Sequence, residues 1–200
     1  MLQTDAMFRT TALSVIGAVV VAIGIDLVRA LVTGRRGEPG GRWRWTMRLS
    51  YSLTLLAVVV LAATALYGVF VRAGVEHWLL LAHVTAGGAF LVLLVVLALG
   101  WAGACRFDPS RRGPGRQGQG LDGPLARGLL GFSLRTRIAF WAFLVTGLTT
   151  ATTMLVSMLP VVDTDGLARL IEVHRTSGLA LVVIALVHAY LLLLGKLGME

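Results

Sequence analysis

The stretch HRTSGLALVVIALVH, residues 174–188, begins and ends with histidine and is otherwise largely apolar. Fourteen residues advance a helix by about 1400° and by about 21 Å. The two imidazoles therefore share one helix face, roughly 40° apart, at two depths of a bilayer whose core is about 30 Å thick. Histidine is costly inside a membrane and usually marks a functional position there. His174 and His188, two of only four histidines in the chain, are thus candidates for a functional site.

The composition indicates an all-helical integral membrane protein. Of the 200 residues, 56% are hydrophobic and 14% are charged, and the mean hydropathy is +0.82. A soluble domain of this size cannot bury so much apolar side chain. Five runs are long enough to span a bilayer as helices, and they are predicted at 11–33, 49–71, 79–101, 138–159 and 170–195. All five prolines lie outside or at the edges of these runs, so the helices can remain unbroken.

The cationic residues that give the chain a net charge of +8 are spread unevenly among the connections between the apolar runs. Arginines fill the first and third connections between the apolar runs, whereas few cations fall in the second and fourth. The positive-inside rule then places the N-terminus outside and the C-terminus in the cytoplasm, across a bacterial-type inner membrane. The basic excess is therefore a topology signal with some attraction for anionic lipid, and no nucleic-acid partner is expected.

Two parts of the chain are expected: an N-terminal transmembrane helix with its basic loop, residues 1–48, and a four-helix bundle, residues 49–200. Within the second part, the stretch 103–136 is rich in Gly, Arg, Gln and Pro and is predicted to be a flexible cytoplasmic loop. The lone Cys105 excludes an internal disulfide, and the absence of CxxCH excludes covalent haem attachment. No nucleotide loop, flavin fingerprint or soluble catalytic domain is present, so the chain is not expected to be catalytic itself.

An internal repeat relates two of the histidines. Setting His83 over His174 aligns HVTAGGAFLVLLVVLA with HRTSGLALVVIALVHA, and each copy follows an apolar run that can form its hairpin partner. Two such hairpins would pack as a four-helix bundle, with the first helix added outside it. The topology puts both histidines at matching depths near the outer face. Two imidazoles that face one interior in this way would be axial ligands of one b-type haem.

Glycine and arginine accompany this histidine pair. Gly87 and Gly178 lie one turn deeper than the two histidines on the same helix faces, where a bare backbone leaves room for a flat macrocycle. Arg175 is placed to reach haem propionates at the outer surface. The histidines also have a plain structural interpretation, as hydrogen-bonded side chains within the bundle.

Residues 45–195 resemble the cytochrome b (gamma) subunit of membrane-bound formate dehydrogenases and related prokaryotic transmembrane cytochromes b. That family pairs a histidine early in its second core helix, often followed by glycine, with the first of two histidines fourteen apart in its last core helix. His83 with Gly87, and His174 with His188, match those positions. The resemblance implies a haem-containing electron-transfer subunit that links an extracytoplasmic or membrane-associated redox subunit to the quinone pool.

The chain departs from that family at the fourth haem ligand. The family has a histidine near the cytoplasmic start of its first core helix, where this chain has Tyr51 in MRLSYSLTLL. Tyrosine is a poor low-spin partner for histidine, although it ligates haem in some proteins. The repeat counterpart of His188 is Leu97, which cannot ligate iron. One haem b is therefore expected. The inner haem is expected to be lost, altered, or completed by Met47 or a partner subunit, and a quinone site near His188 and Tyr51 is left open.

Two other functions are compatible with the sequence. A haem-free membrane anchor or assembly subunit, descended from such cytochromes, would account for the missing fourth ligand. A metal or proton translocator would need acidic residues at mid-membrane, where Asp26 is the only candidate, and this function is ranked last. Haem content separates the cytochrome from the anchor.

Overall fold

The computed structural model describes residues 2–32, 45–72, 77–102, 105 and 133–197, and every regular element in these residues is helical. The helices are α1 (Leu2–Val32), α2 (Trp45–Tyr67), α3 (His77–Trp101), α4 (Leu134–Ser157) and α5 (Thr164–Leu197), and a π-helical turn (Gly68–Arg72) extends α2. All five helices are long and apolar enough to cross a bilayer. The prediction of an all-helical chain with five spans is confirmed, and it indicates a multi-pass membrane protein.

All five helices begin before the apolar runs that predicted them. The clearest case is α4, because the predicted loop 103–136 includes the first residues of this helix. Ser133 caps the helix by accepting a 3.3 Å hydrogen bond from the backbone N–H of Thr136, so the helix begins at Leu134. The loop boundary at residue 136 was therefore wrong by three residues. Cys105 is described, and the rest of the predicted loop before Ser133 lies outside the described residues.

Four helices pack as two adjoining hairpins. α2 packs along α3, and α4 packs along α5. The hairpins join where α3 contacts α4 and where α2 contacts α5, which sets α3 and α5 diagonally opposite each other. Phe90, Leu94, Leu97 and Phe140 belong to the apolar core that fills the interior. The diagonal arrangement lets side chains from the two copies of the internal repeat face a shared interior.

The first helix packs against the last and runs parallel to it. Near one end, the Arg175 guanidinium of α5 lies 4.4 Å from the centroid of the Phe8 ring of α1. Near the other end, the Tyr190 hydroxyl of α5 donates a 2.7 Å hydrogen bond to Asp26 Oδ2 of α1. Residue numbers increase in the same direction along both helices, so α1 and α5 enter from the same side.

Candidate functional site

His83 on α3 and His174 on α5 meet across the interior. Their ring centroids are 6.3 Å apart and their planes are inclined by 76°. His83 lies near the start of α3, and His174 lies ten residues along α5. The structure therefore brings together the two histidines that the internal repeat relates, at the same end of the helices.

The hydrogen bonds of His174 define its tautomer. Its Nδ1 lies 3.0 Å from the backbone carbonyl oxygen of Thr150 and 3.3 Å from Oγ1 of Thr153. A carbonyl oxygen only accepts, so Nδ1 must carry the hydrogen. The lone pair of the neutral ring is then on Nε2, which is the atom that can bind a metal ion.

The same arrangement holds His83. Its Nδ1 lies 2.8 Å from Oγ1 of Thr64. The hydroxyl of Thr64 donates its own hydrogen to the carbonyl oxygens of Val60 and Leu61, at 2.8 and 3.0 Å. Oγ1 of Thr64 therefore accepts from Nδ1, which leaves the lone pair of His83 on Nε2. Histidines that bind metal usually have their other ring nitrogen held in this way.

Sequence reasoning missed these two threonines. Thr64 precedes His83 by 19 residues and Thr153 precedes His174 by 21, each on the hairpin partner of its histidine. A threonine at nearly matching positions in both repeats was the available signal. Threonine is common in membrane helices, however, where it bonds to its own backbone, so the signal was weak without the histidine contact.

A cavity of about 700 Å³ adjoins the histidine pair. Small-molecule and cofactor sites are typically about 300–1,000 Å³ and are lined mainly by apolar groups. The lining includes five of the predicted site residues: His83, His174, Gly87, Gly178 and Arg175. Helix α1 also lines this cavity, through Phe8, Arg9, Ala12 and Ile16 among others. The first helix, expected outside the bundle, thus contributes directly to the wall of the candidate site.

Gly87 and Gly178 are not required by helix packing. A Cβ atom at Gly87 would meet only Leu61 Cδ2, at 3.9 Å, and one at Gly178 would meet only Thr150 Cγ2, at 3.9 Å. Gly147 is different, because a Cβ atom there would lie 3.0 Å from Phe90 Cζ. Gly147 is therefore a packing glycine, whereas Gly87 and Gly178 leave open volume beside the histidines.

The cavity residues fit a haem held between the two imidazoles. A bond between a metal ion and an imidazole nitrogen is about 2 Å long, so two nitrogens on opposite sides of one ion lie about 4 Å apart. Each ring centroid lies farther out by one ring radius, and the observed 6.3 Å is compatible with this. The apolar wall and the two open glycines suit a macrocycle. Among the described residues, no group of three or more His, Cys, Asp or Glu could hold a metal ion by itself.

His188 lies apart from this cavity, in the apolar core. It is 0% exposed, and neither ring nitrogen has a hydrogen-bond partner among the residues described. The Tyr51 ring lies 5.5 Å from the imidazole, between centroids. The rings of Trp101, Phe140 and Phe143 also lie around the imidazole, with centroid distances of 6.4, 6.2 and 6.3 Å. The structure thus places Tyr51 beside His188, as expected from the sequence, but inside a cluster of aromatic rings.

The surroundings of His188 do not fit a second haem. Leu97, the repeat counterpart of His188, is 0% exposed, and Trp101 and Phe140 are 1% and 0% exposed. These side chains fill the space beside the imidazole, and Trp101 and Phe140 stack on each other at 6.0 Å. A macrocycle there would require the large rings to move. The two histidines of α5 therefore lie in opposite environments, one beside open volume and the other in packed rings.

Cys105 belongs to the same apolar core as the rings around His188 and is a buried structural side chain. Its side chain is buried, and its backbone carbonyl accepts a 3.0 Å hydrogen bond from Trp141 Nε1. Burial raises the pKa of the thiol to about 11, against a smaller opposing effect of Arg137. A buried thiol with a raised pKa is typically unreactive.

We expect His188→Leu to stabilise the protein. A buried polar group without a partner costs about 1–3 kcal/mol. Loss of the aromatic contacts offsets about 0.5–1.5 kcal/mol of that. The net gain is about 1 kcal/mol, measured as a higher midpoint of thermal unfolding in detergent. The reverse exchange one turn away, Leu192→His, should lower the midpoint. A lower midpoint for His188→Leu would show that the imidazole does have a partner.

Comparisons with protein-family models, with curated proteins and with solved structures find no match. What the chain binds must therefore be inferred from its own geometry. That geometry consists of two imidazoles with their Nδ1 atoms held, two open glycines and a cofactor-sized cavity.

Proposed function

We propose that the chain is a membrane b-type cytochrome subunit that transfers electrons between an extracytoplasmic or membrane-associated redox subunit and the quinone pool. The observation that carries the proposal is the pairing of His83 and His174, 6.3 Å apart on diagonally opposed helices beside one cavity. If the two imidazoles had only a structural role, there would be no reason for them to lie close together or beside an open cavity.

Each cavity residue has a role in this proposal. The histidine pair would be the axial ligands, with Thr64 and Thr153 fixing the orientation of the rings. Gly87 and Gly178 would leave space for the macrocycle. Arg175 would pair with a propionate. Bound haem supplies a one-electron centre whose potential depends on the axial ligands and on the low dielectric around it.

The proposed orientation puts the cavity in the outer half of a bacterial-type cytoplasmic membrane. The arginine-rich stretches of sequence lie between α1 and α2 and between α3 and α4, at the opposite end of the helices from the histidine pair. The positive-inside rule assigns that end to the cytoplasm, so the N-terminus is outside and the C-terminus inside. His83 then lies about 9 Å along α3 from its outer end at His77. A redox partner would dock on the outer face.

The proposal contains one haem b. We assign no haem to His188, which is 0% exposed and lies among aromatic rings. A quinone site at His188 and Tyr51 would depend on an inner haem, so we do not place it there. Quinone remains the proposed membrane-soluble partner.

The proposal is tested by a dithionite-reduced minus oxidised absorbance spectrum of the detergent-purified protein, with haem measured per chain. The expected result is a sharp b-type α band and one haem per chain. Protein that contains no haem, although expressed with adequate haem supply, would overturn the proposal. Two haems per chain would overturn the assignment of His188 to the packed core.

A haem-free membrane anchor or assembly subunit is the second candidate. The observation in its favour is the inner end of the bundle, where Tyr51 replaces the expected ligand and aromatic rings fill the space beside His188. A chain that lost one haem site in this way could have lost both. The same spectrum separates the two candidates, because an anchor of this kind would contain no haem.

A further inference from the structure

We infer that α1 completes the ligand site, with Arg9 of α1 and Arg175 of α5 forming a paired cradle for two carboxylates on one edge of a planar apolar ligand. For the function proposed above, on which this inference rests, those carboxylates are the haem propionates. The resemblance to known cytochromes covers residues 45–195, so it assigns no role to α1.

The position of Arg9 follows from the stripe of α1 that faces the bundle. Arg9, Ala12 and Ile16 are spaced i, i+3 and i+7, which places them on one helix face, and all three line the cavity. Ala12 is 1% exposed, so this face is in contact with the neighbouring helices. The neighbouring residue Phe8 lies against the Arg175 guanidinium. The two arginines therefore lie at the same end of the cavity.

The charged side chains that line the cavity are cationic. The lining side chains in the described part of the chain include two arginines and no carboxylate. Arg175 reaches Glu172 Oε2 at 4.0 Å, and the Glu172 side chain is 55% exposed. Cations beside an apolar cavity are costly unless anions balance them.

Carboxylates are well suited to pair with two guanidiniums. Arginine binds a carboxylate through two parallel hydrogen bonds, and the aromatic face of Phe8 restrains Arg175 in place. A ligand with an apolar body and a dianionic edge matches both the wall and the rim of this cavity. Haem b has this distribution of polarity.

The test compares haem with haem dimethyl ester, in which both propionates are blocked. Haem-depleted full-length protein is titrated with each compound, and binding is followed by the absorbance spectrum. We expect wild-type protein to prefer haem over the ester by about tenfold or more. Arg9→Gln and Arg175→Gln should each weaken haem binding by about tenfold and leave ester binding unchanged. Arg169→Gln, an exposed change on α5 outside the cavity lining, should behave as wild type.

The midpoint potential gives a second readout. Removing a cation beside a propionate favours ferric haem, so Arg9→Gln should lower the potential whereas Arg169→Gln should not. A full preference for haem in Arg9→Gln, with an unchanged potential, would overturn the inference while leaving the cytochrome proposal intact. Wild-type protein that binds neither compound would overturn the cytochrome proposal itself. If Arg9→Gln does not accumulate, Arg9→Lys should show a reduced preference for haem, and an unchanged preference would overturn the inference.

Discussion

Haem is expected to be lost completely from His174→Ala and from His83→Ala, each measured as haem per chain and as the b-type α band of the reduced protein. Either change leaves a single imidazole, and the two ligands come from separate hairpins, so no neighbouring histidine can replace the missing one. The described residue His188 is enclosed by aromatic rings away from the cavity. Imidazole added to His174→Ala should restore part of the spectrum, because the space left by the side chain adjoins the cavity.

The matched control is His77, an exposed histidine at the start of α3. Its φ of 50° is in the left-handed region, so His77→Asn is the suitable change because asparagine tolerates that conformation. His77→Asn should keep a full complement of haem. A His174→Ala protein that still holds one haem with the wild-type spectrum would contradict the assignment of the axial ligands.

Gly178→Leu should also abolish haem binding, but without unfolding the protein. The Cβ atom of the new side chain would lie 3.9 Å from its nearest neighbour, Thr150 Cγ2. The rest of the side chain would extend into the cavity and occupy the space of the ligand. Replacing a helix-interior glycine also removes a cost of about 0.5–1 kcal/mol. The expected result is no α band and an unfolding midpoint at or above that of haem-free wild-type protein. Haem content and thermal unfolding in detergent measure the two effects separately.

Two other glycines provide controls for this experiment. Gly24→Leu adds a side chain to an exposed part of α1, where nothing lies within 4 Å; it should leave haem content unchanged and show only the gain of about 0.5–1 kcal/mol from replacing a helix-interior glycine. Gly147→Leu places atoms against Phe90 and Leu94 and should destabilise the fold by about 1–3 kcal/mol or more. If Gly178→Leu destabilised the haem-free protein as much as Gly147→Leu does, Gly178 would be a packing residue and the cavity interpretation would be wrong.

The sequence was sufficient for the number of helices and for the pairing of His83 with His174 across the bundle. Uninterrupted apolar runs specify spans because only a helix satisfies its backbone hydrogen bonds in lipid. The pairing was accessible because the repeat places both histidines at the same depth, at corresponding positions of two similar hairpins. The positions of Gly87 and Gly178 on the same helix faces as these histidines follow from helical periodicity.

The rest of the site depends on how each helix is rotated, which the sequence does not reveal. In a bilayer the face toward lipid is as apolar as the face toward the core, so hydrophobic periodicity does not identify the inward face. The contacts of Thr64 and Thr153, the approach of Arg9 and the aromatic rings around His188 all depend on that rotation. A second haem at His188 could therefore be left open by the sequence, but it does not fit the packed structure.

The contact between α1 and α5 has a consequence for the time course of biosynthesis. Asp26 and Tyr190, which join the two helices, are 164 residues apart in the chain. At a synthesis rate of about 5–20 residues per second, α1 waits roughly 8–30 s for the helix it packs against. Until then the nascent chain also lacks His174, so under the proposed function haem would be captured only after α5 has been made. A chain that ends before α5 would lack one of the two proposed axial ligands.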